Sequence, residues 1–213
     1  MGKILEAGRG SSPSGEGPLR IGVLASQGGF ATHIRMLSDL GGDAVAVRTP
    51  EALEGLDGLV IPGGESTTIS RALDRDGLVD PIKGLAAEGT PILGTCAGMI
   101  ICARNHLGLV DADARRNAWG RQIDSFEAGL EFEGIGPDPI NAVFIRAPWL
   151  ERCGPEVRVL ARWDGHPVAA AQGNVTLCAF HPELTDDSRI HALLMAKATA
   201  ARERARTHEE AER

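Results

Sequence analysis

The sequence predicts an α/β fold: a three-layer, open, mostly parallel sheet with helices on both faces, plus a small antiparallel portion. Three observations carry this expectation. From Arg20 to Cys102, short apolar runs alternate with helical patterns, as parallel βαβ units require. Glycine-rich turns close several of these runs, at "SQGG", "PGG" and "GTC". Beyond residue 125 the rhythm changes to short apolar segments with tight turns, followed by one long helical pattern.

The elements follow in order. "RIGVLA" (20–25) is a short apolar strand, and "FATHIRMLSDLGG" is a helix closed by glycine, with Phe30, Ile34, Leu37 and Leu40 at helical spacing. "DAVAVR" (43–48) is a second strand, and "LDGLVIPGG" ends a third at a double glycine. "TTISRALDRDGL" and "VDPIKGLAAEG" are helical, and "TPILGTC" is a fourth strand entering a helix at Ala97. "AGLEFEG", "NAVFIRAP", "EVRVLARWDG", "HPVAAAQG" and "NVTLCAF" are short strands that supply the antiparallel portion and return to the main sheet. "RWDGHPV" sets Asp-Gly between apolar runs, a hairpin signal. From about Asp187 a long helix closes the chain, its apolar face fading after Ala201. This is one domain over 19–206, after a flexible Gly/Ser/Pro-rich leader (1–18) and before a frayed tail (207–213).

The totals narrow the function. Apolar residues make up 43% of 213, enough for one packed core, and no run is as long as a membrane span. A net charge of −7 opposes non-specific binding to nucleic acid or acidic membranes. Tyrosine is absent and aromatics are 4%, which leaves little for a base-stacking platform. The four cysteines, at 96, 102, 153 and 178, form neither a CxxC pair nor a zinc-like spacing with histidine. No metal or cofactor is expected, and reduced thiols in the cytoplasm are the simplest account.

Chemistry in an open parallel sheet gathers at the C-terminal strand ends. Cys96 stands there, in "PILGTCAGMI", between Gly94 and Gly98. Strand, sharp turn and helix are how a nucleophile is lifted out of a sheet. Taken alone, the stretch favours a packed thiol, since free cysteines are usually buried small hydrophobes. A thiolate needs a base, and of six histidines His181 is best placed, after "NVTLCAF" and before Pro182. Glu183, two residues on, is set to orient the imidazole if the chain stays extended. "PGGESTT" (62–68) offers the N–H of Gly64, which with that of Ala97 forms an oxyanion-hole pair. Its Ser66, Thr67 and Thr68 equally suit helix capping, and Glu65 disfavours a phosphate loop. The arginines of "RRNAWGRQIDSF" and Arg146 of "VFIRAP" suit bidentate capture of a carboxylate, or else surface ion pairs.

Taken together, "IGVLASQGG", "LVIPGGESTT", "PILGTCAGMI", "RNAWGRQIDSF", "VFIRAP" and "FHPELTDDSRIH" closely resemble the glutaminase subunits of pyridoxal 5'-phosphate synthases, which are class I, triad-type glutamine amidotransferases. The resemblance implies a flavodoxin-like, class I amidotransferase fold. It implies hydrolysis of L-glutamine to glutamate and ammonia by Cys96, His181 and Glu183. The ammonia would pass to a separate barrel-shaped synthase subunit in a ring assembly, which uses ribose 5-phosphate and glyceraldehyde 3-phosphate. The glutamine-contacting positions would be Gly64, Glu65, Ser66, Arg116, Ile145 and Arg146, and the isolated glutaminase would be poorly active. The chain departs from the family pattern at "SQGGFATH", where Ser26 replaces an apolar residue and the charged pair before His33 is absent. It departs again at Trp119 and in the short Ala103–Leu107 segment. The rival readings are a glutaminase of another pathway, a silent interaction protein of the same fold, and a cysteine peptidase.

Overall fold

The computed structural model describes residues 17–26, 28–116 and 125–211. Most of the leader, Gln27, and Asn117 and Trp119 of the "RNAWGRQIDSF" stretch lie outside the described residues.

The chain forms β1 (Arg20–Leu24), α1 (Phe30–Asp39), β2 (Asp43–Val47), β3 (Gly58–Ile61), α2 (Ser66–Arg75), α3 (Val79–Ala87), β4 (Ile92–Thr95) and α4 (Ala97–Cys102). It continues with β5 (Ala112–Arg115), β6 (Ser125–Leu130), β7 (Ile140–Ile145), β8 (Trp149–Cys153), β9 (Arg158–Trp163), β10 (His166–Gln172), β11 (Val175–Cys178) and α5 (Arg189–Ala211). The main sheet runs β2-β1-β3-β4-β11-β10-β9. Its first five strands pair in parallel, and β10 and β9 add an antiparallel edge. The central strands are apolar on both faces because helices cover both: β3, β4 and β11 are buried at every residue. α1 packs with α5, and α2 with α4, giving three layers.

Each helix buries the stripe its sequence provides. α2 turns Ile69, Ala72 and Leu73 inward, and α5 buries Ile190, Leu194 and Ala198, spaced four apart. Arg189 anchors the start of α5 by pairing with Asp187 and donating to the carbonyls of Asp138 and Pro139. Further along, Arg202 binds Asp57 and the carbonyls of Gly17 and Pro18, tying the end of the leader to α5. The helix keeps its backbone geometry through Ala211, while Glu203 to His208 are exposed.

The second half differs from expectation in two ways. "ADAR" and "WLERC" form β5 and β8, paired with each other in a separate two-stranded sheet. The strand expected over "AGLEFEG" starts earlier, at Ser125, because it pairs with β7 from Ser125↔Ile145 to Leu130↔Ile140. The Asp-Gly hairpin is present: Asp164 and Gly165, both with positive φ (48° and 77°), join Trp163 to its partner His166. The β6–β7 ribbon is held to the core by Phe144, which is fully buried, stacks on Phe126 at 4.5 Å and meets Phe180 edge-on at 5.8 Å. Burying such a ring contributes about 1.5–3 kcal/mol. This position matters because the next residues after Phe144 reach the main sheet's C-terminal edge.

Candidate active site

Three neighbouring parallel strands deliver the parts. β3 leads into Gly63 and Gly64, β4 into Cys96, and β11 into His181. The registers Ile61↔Gly94 and Thr95↔Cys178 bring these three ends level. The N–H of Cys96 donates to the Cys178 carbonyl at 2.8 Å, and that of His181 to the Val143 carbonyl at 2.8 Å. The first bond ties the cysteine turn to β11, and the second ties the histidine to β7.

Cys96 occupies the turn itself, with φ 48° and ψ −107°. For a residue with a Cβ this conformation costs about 1–3 kcal/mol, a strain typical of reactive positions. The flanking glycines permit it. A Cβ on Gly98 would lie 1.8 Å from the Ile61 carbonyl oxygen, and one on Gly94 2.8 Å from that of Gly98. α4 therefore sits against β3 and β4 at a distance that only glycine allows. The other thiols are placed differently. Burial pushes Cys102 up to about 12 and moves Cys178 upward as well, so both stay protonated. Cys153, half-buried, is also raised by desolvation.

His181 Nδ1 lies 2.8 Å from Glu183 Oε1. The pairing does not arise from an extended chain, as the i, i+2 spacing implied. Residues Pro182–Leu184 form a single 3-10 turn that folds the carboxylate back beneath the ring. Glu183 is 4% exposed. Burial works to raise its pKa, but the hydrogen bond from His181 and the close approach of His33 outweigh burial and hold it well below the usual carboxylate range. For His181, burial works downward, and hydrogen bonds to Cys96 and Glu183 with the charges of both raise it to about 10. The ring is thus built to carry a proton.

A cleft of about 400 Å³ opens over these groups. Its walls include Cys96, Ala97, His181, Gly64, Glu65, Ser66, Arg116, Ile145 and Arg146. These are all the residues singled out from the sequence except Glu183, which lies beneath His181. Gly28, Ile100 and Pro148 also line it; each lies in a stretch the sequence marked, but none was named as a site residue. Two of the wall residues differ in role from a simple contact surface. Glu65 caps α2: its carboxylate accepts from the Thr68 hydroxyl (2.6 Å) and from the N–H groups of Thr67 (3.0 Å) and Thr68 (2.7 Å), which together lower its pKa to about 2. The capping expected of Ser66, Thr67 or Thr68 falls to Glu65 because Ser66 is already the first helical residue. Arg146, exposed, has a positive φ of 43°, a kink that turns the chain as β7 ends. Arg116, also exposed, donates to Thr67 Oγ1 at 3.2 Å. Two guanidinium groups and a cysteine with a protonatable partner therefore share one cleft.

One feature was not anticipated. His33 of α1 and His191 of α5, both fully buried, meet behind Glu183. The sequence shows each as an ordinary polar residue on a helix, and only the packing of α1 on α5 brings them together.

Comparison with known proteins places the chain. The pyridoxal 5'-phosphate synthase subunit PdxT of Rhodococcus opacus (strain B4) is 51% identical, over 82% of this chain and 95% of that protein. The subunit of the same name from Geobacillus kaustophilus (strain HTA426) is also 51% identical, over 81% of this chain and 91% of its own. A crystal structure of a glutamine amidotransferase, 44% identical, superimposes with a TM-score of 0.80 over 84% of this chain and 98% of its own. Residues 23–200 match the model of the SNO glutamine amidotransferase family, and the chain belongs to that family.

Proposed function

We propose that this chain hydrolyses L-glutamine to L-glutamate and ammonia through Cys96, His181 and Glu183. The ammonia is handed to a partner synthase subunit that makes pyridoxal 5'-phosphate. The observation that carries the reading is the pairing of His181 with buried Glu183 at 2.8 Å in the cleft that also holds Cys96. The relatives named above support this pathway over another glutaminase route.

The chemistry runs as follows. The Cys96 thiol gives its proton to His181, and Glu183 holds the imidazole and balances its charge. The thiolate attacks the side-chain amide carbon of glutamine. Negative charge gathers on the amide oxygen, where the N–H groups of Gly64 and Ala97 receive it. His181 returns its proton to the amide nitrogen, the C–N bond breaks, and ammonia leaves a γ-glutamyl thioester on Cys96. Water then gives a proton to His181 and attacks the thioester, releasing glutamate and the thiol. Arg116 and Arg146 bind the substrate's α-carboxylate, and Glu65, Ser66 and Ile145 shape the pocket around its chain.

The partner is a barrel-shaped subunit, several copies of which form a ring carrying the glutaminase chains. Ile145 (36% exposed) and Leu184 (52% exposed), large apolar side chains at and beside the cleft, support docking on this face. Among the described residues no helix is long and apolar enough to cross a membrane. A cytoplasmic location of the complex is part of this proposal. The test mixes the protein with the matching synthase, supplies ribose 5-phosphate and glyceraldehyde 3-phosphate, and measures glutamine-dependent pyridoxal 5'-phosphate. Cys96→Ala is expected to abolish this while ammonia added directly restores it. Undiminished glutamine use by that variant defeats the reading.

A further inference from the structure

The carboxylate of Glu183 has two oxygens, and the reaction above employs one. Oε1 faces His181; Oε2 is buried on the far side, with His33 Nε2 3.2 Å away. This contact lies within ion-pair range, and Oε2 has no hydrogen-bond partner among the described residues. His33 Nδ1 lies 2.8 Å from His191 Nε2. His191 Nδ1 is buried and has no partner among the described residues. His33 Nε2 also lies 3.4 Å from Thr95 Oγ1, one residue before the cysteine.

The proton positions in this row follow from its two ends. Suppose His33 carried its proton on Nδ1. Its bare Nε2 lone pair would then face an ionised oxygen at 3.2 Å, and His191 would hold an N–H on Nδ1 with no acceptor. A buried donor left unsatisfied costs about 1–3 kcal/mol, and the facing lone pairs add repulsion. The opposite arrangement removes both penalties. His191 donates from Nε2 to His33 Nδ1, His33 donates from Nε2 toward Glu183 Oε2, and only an acceptor lone pair on His191 Nδ1 is left over. Burial pushes His191 down to about 3, in keeping with a neutral ring.

We infer that His33 is a positioning residue for glutamine hydrolysis: it donates through Nε2 to Glu183 Oε2 and fixes the carboxylate that orients His181, while His191 fixes the tautomer of His33. The working unit is then a row of five side chains, from Cys96 through His181, Glu183 and His33 to His191. Glu183 is held from both sides, each oxygen by one imidazole. Without His33, the structure records no nitrogen donor near Oε2 among the described residues, and a buried carboxylate oxygen without one pulls the group toward water or toward protonation. Either movement loosens His181. The role attributed to His33 rests on the glutaminase reading; the tautomers do not.

Two measurements test this. The first is turnover in the complex with the synthase. His33→Leu keeps the volume and removes the donor, and its kcat is expected to fall about 10- to 100-fold, the range seen when the outer partner of a reactive histidine is removed at metal centres. KM is expected to change little, since His33 does not line the cleft. His33→Gln, whose amide nitrogen replaces Nε2, is expected to recover most of the loss. A His33→Leu kcat within twofold of the unaltered protein, or no better activity in His33→Gln than in His33→Leu, overturns the inference. The second needs no turnover. In the full chain labelled with 15N-histidine, His33 and His191 are expected to appear as neutral rings with the proton on Nε2. A proton on Nδ1 of His33 overturns the inference even where a variant fails to fold. The glutaminase reading falls separately, if the unaltered complex releases no ammonia from glutamine.

Discussion

Gly63 lies where a single methyl group acts on the reacting pair. In Gly63→Ala the new Cβ would stand 2.5 Å from His181 Cε1, 3.1 Å from its Nδ1 and 3.3 Å from Cys96 Cβ. Ordinary contact begins at 3.4 Å. The imidazole or the Gly63 backbone must therefore move by about 0.9 Å, the shortfall between 2.5 and 3.4 Å. The φ of Gly63 lies outside the left-handed region, so alanine meets no backbone strain and the clash falls on the side chains. Glu183 resists the retreat of His181, because its 2.8 Å bond holds the ring from the other side. A misplacement of about 1 Å in a catalytic constellation costs roughly 100-fold in rate, equivalent to about 2.7 kcal/mol of barrier. The assay is glutamate release from glutamine with saturating synthase, alongside thermal unfolding of the same preparation. The expected result is kcat reduced about 100-fold with Tm lowered by no more than about 4 °C, the shift of a ~1 kcal/mol change in a chain of this size. A kcat within threefold of the unaltered protein refutes the geometry. So does a rate loss that tracks unfolding.

Three further outcomes follow from the same geometry. Glu183→Gln puts an amide where His181 Nδ1–H needs an acceptor, and kcat is expected to fall about 10²- to 10⁴-fold with the fold retained; unchanged kcat shows that another group holds the ring. Stability is expected to peak near pH 6.5. Below that pH the unfolded chain binds a proton at His191 that the folded chain takes up only near about pH 3, so stability falls as pH drops. Above it the folded chain keeps a proton on His181 up to about pH 10 that the unfolded chain has released, so stability falls as pH rises. Each group contributes up to ~1.4 kcal/mol per pH unit within its window; denaturant titrations from pH 4.5 to 9 read this, and a flat profile is the contrary result. Finally, docking of the synthase is expected to raise glutamine kcat/KM about 100-fold by completing the oxyanion hole. The peptide joining Gly63 to Gly64, the latter at φ 147°, has no Cβ at either end to bar a turn; equal values with and without synthase mean that the hole is preformed.

Cys96 and His181 were legible because each follows an apolar strand and stands at a glycine or proline turn. Their meeting was not legible, since β4 and β11 are neighbours only through sheet pairing between distant segments. The antiparallel hairpin was read from Asp164-Gly165, where two residues decide the backbone. β5 and β8 escaped notice because neither "ADAR" nor "WLERC" carries an apolar alternation; each is a strand only because the other is there to pair with. The Glu183 contact was expected for the wrong local reason, as Pro182 starts a tight turn rather than an extended segment. His33 and His191 gave no signal at all. Helix spacing marks Ile34 and Leu37 as inward, and polar neighbours of such residues read as surface until the partner helix is known.

The strand order has a consequence for synthesis. β11 inserts between β4 and β10, yet it is the last strand to leave the ribosome. A nascent chain that has passed Cys102 already carries the nucleophile's turn, but neither its base nor the carboxylate behind it. Closing the β4–β11 pairing joins Ile92–Thr95 to Val175–Cys178, distant in sequence, and carries the entropy of a long loop. Until then His181, the proposed base, is not beside Cys96. On the proposed function, hydrolysis of glutamine therefore waits until the fold is nearly finished.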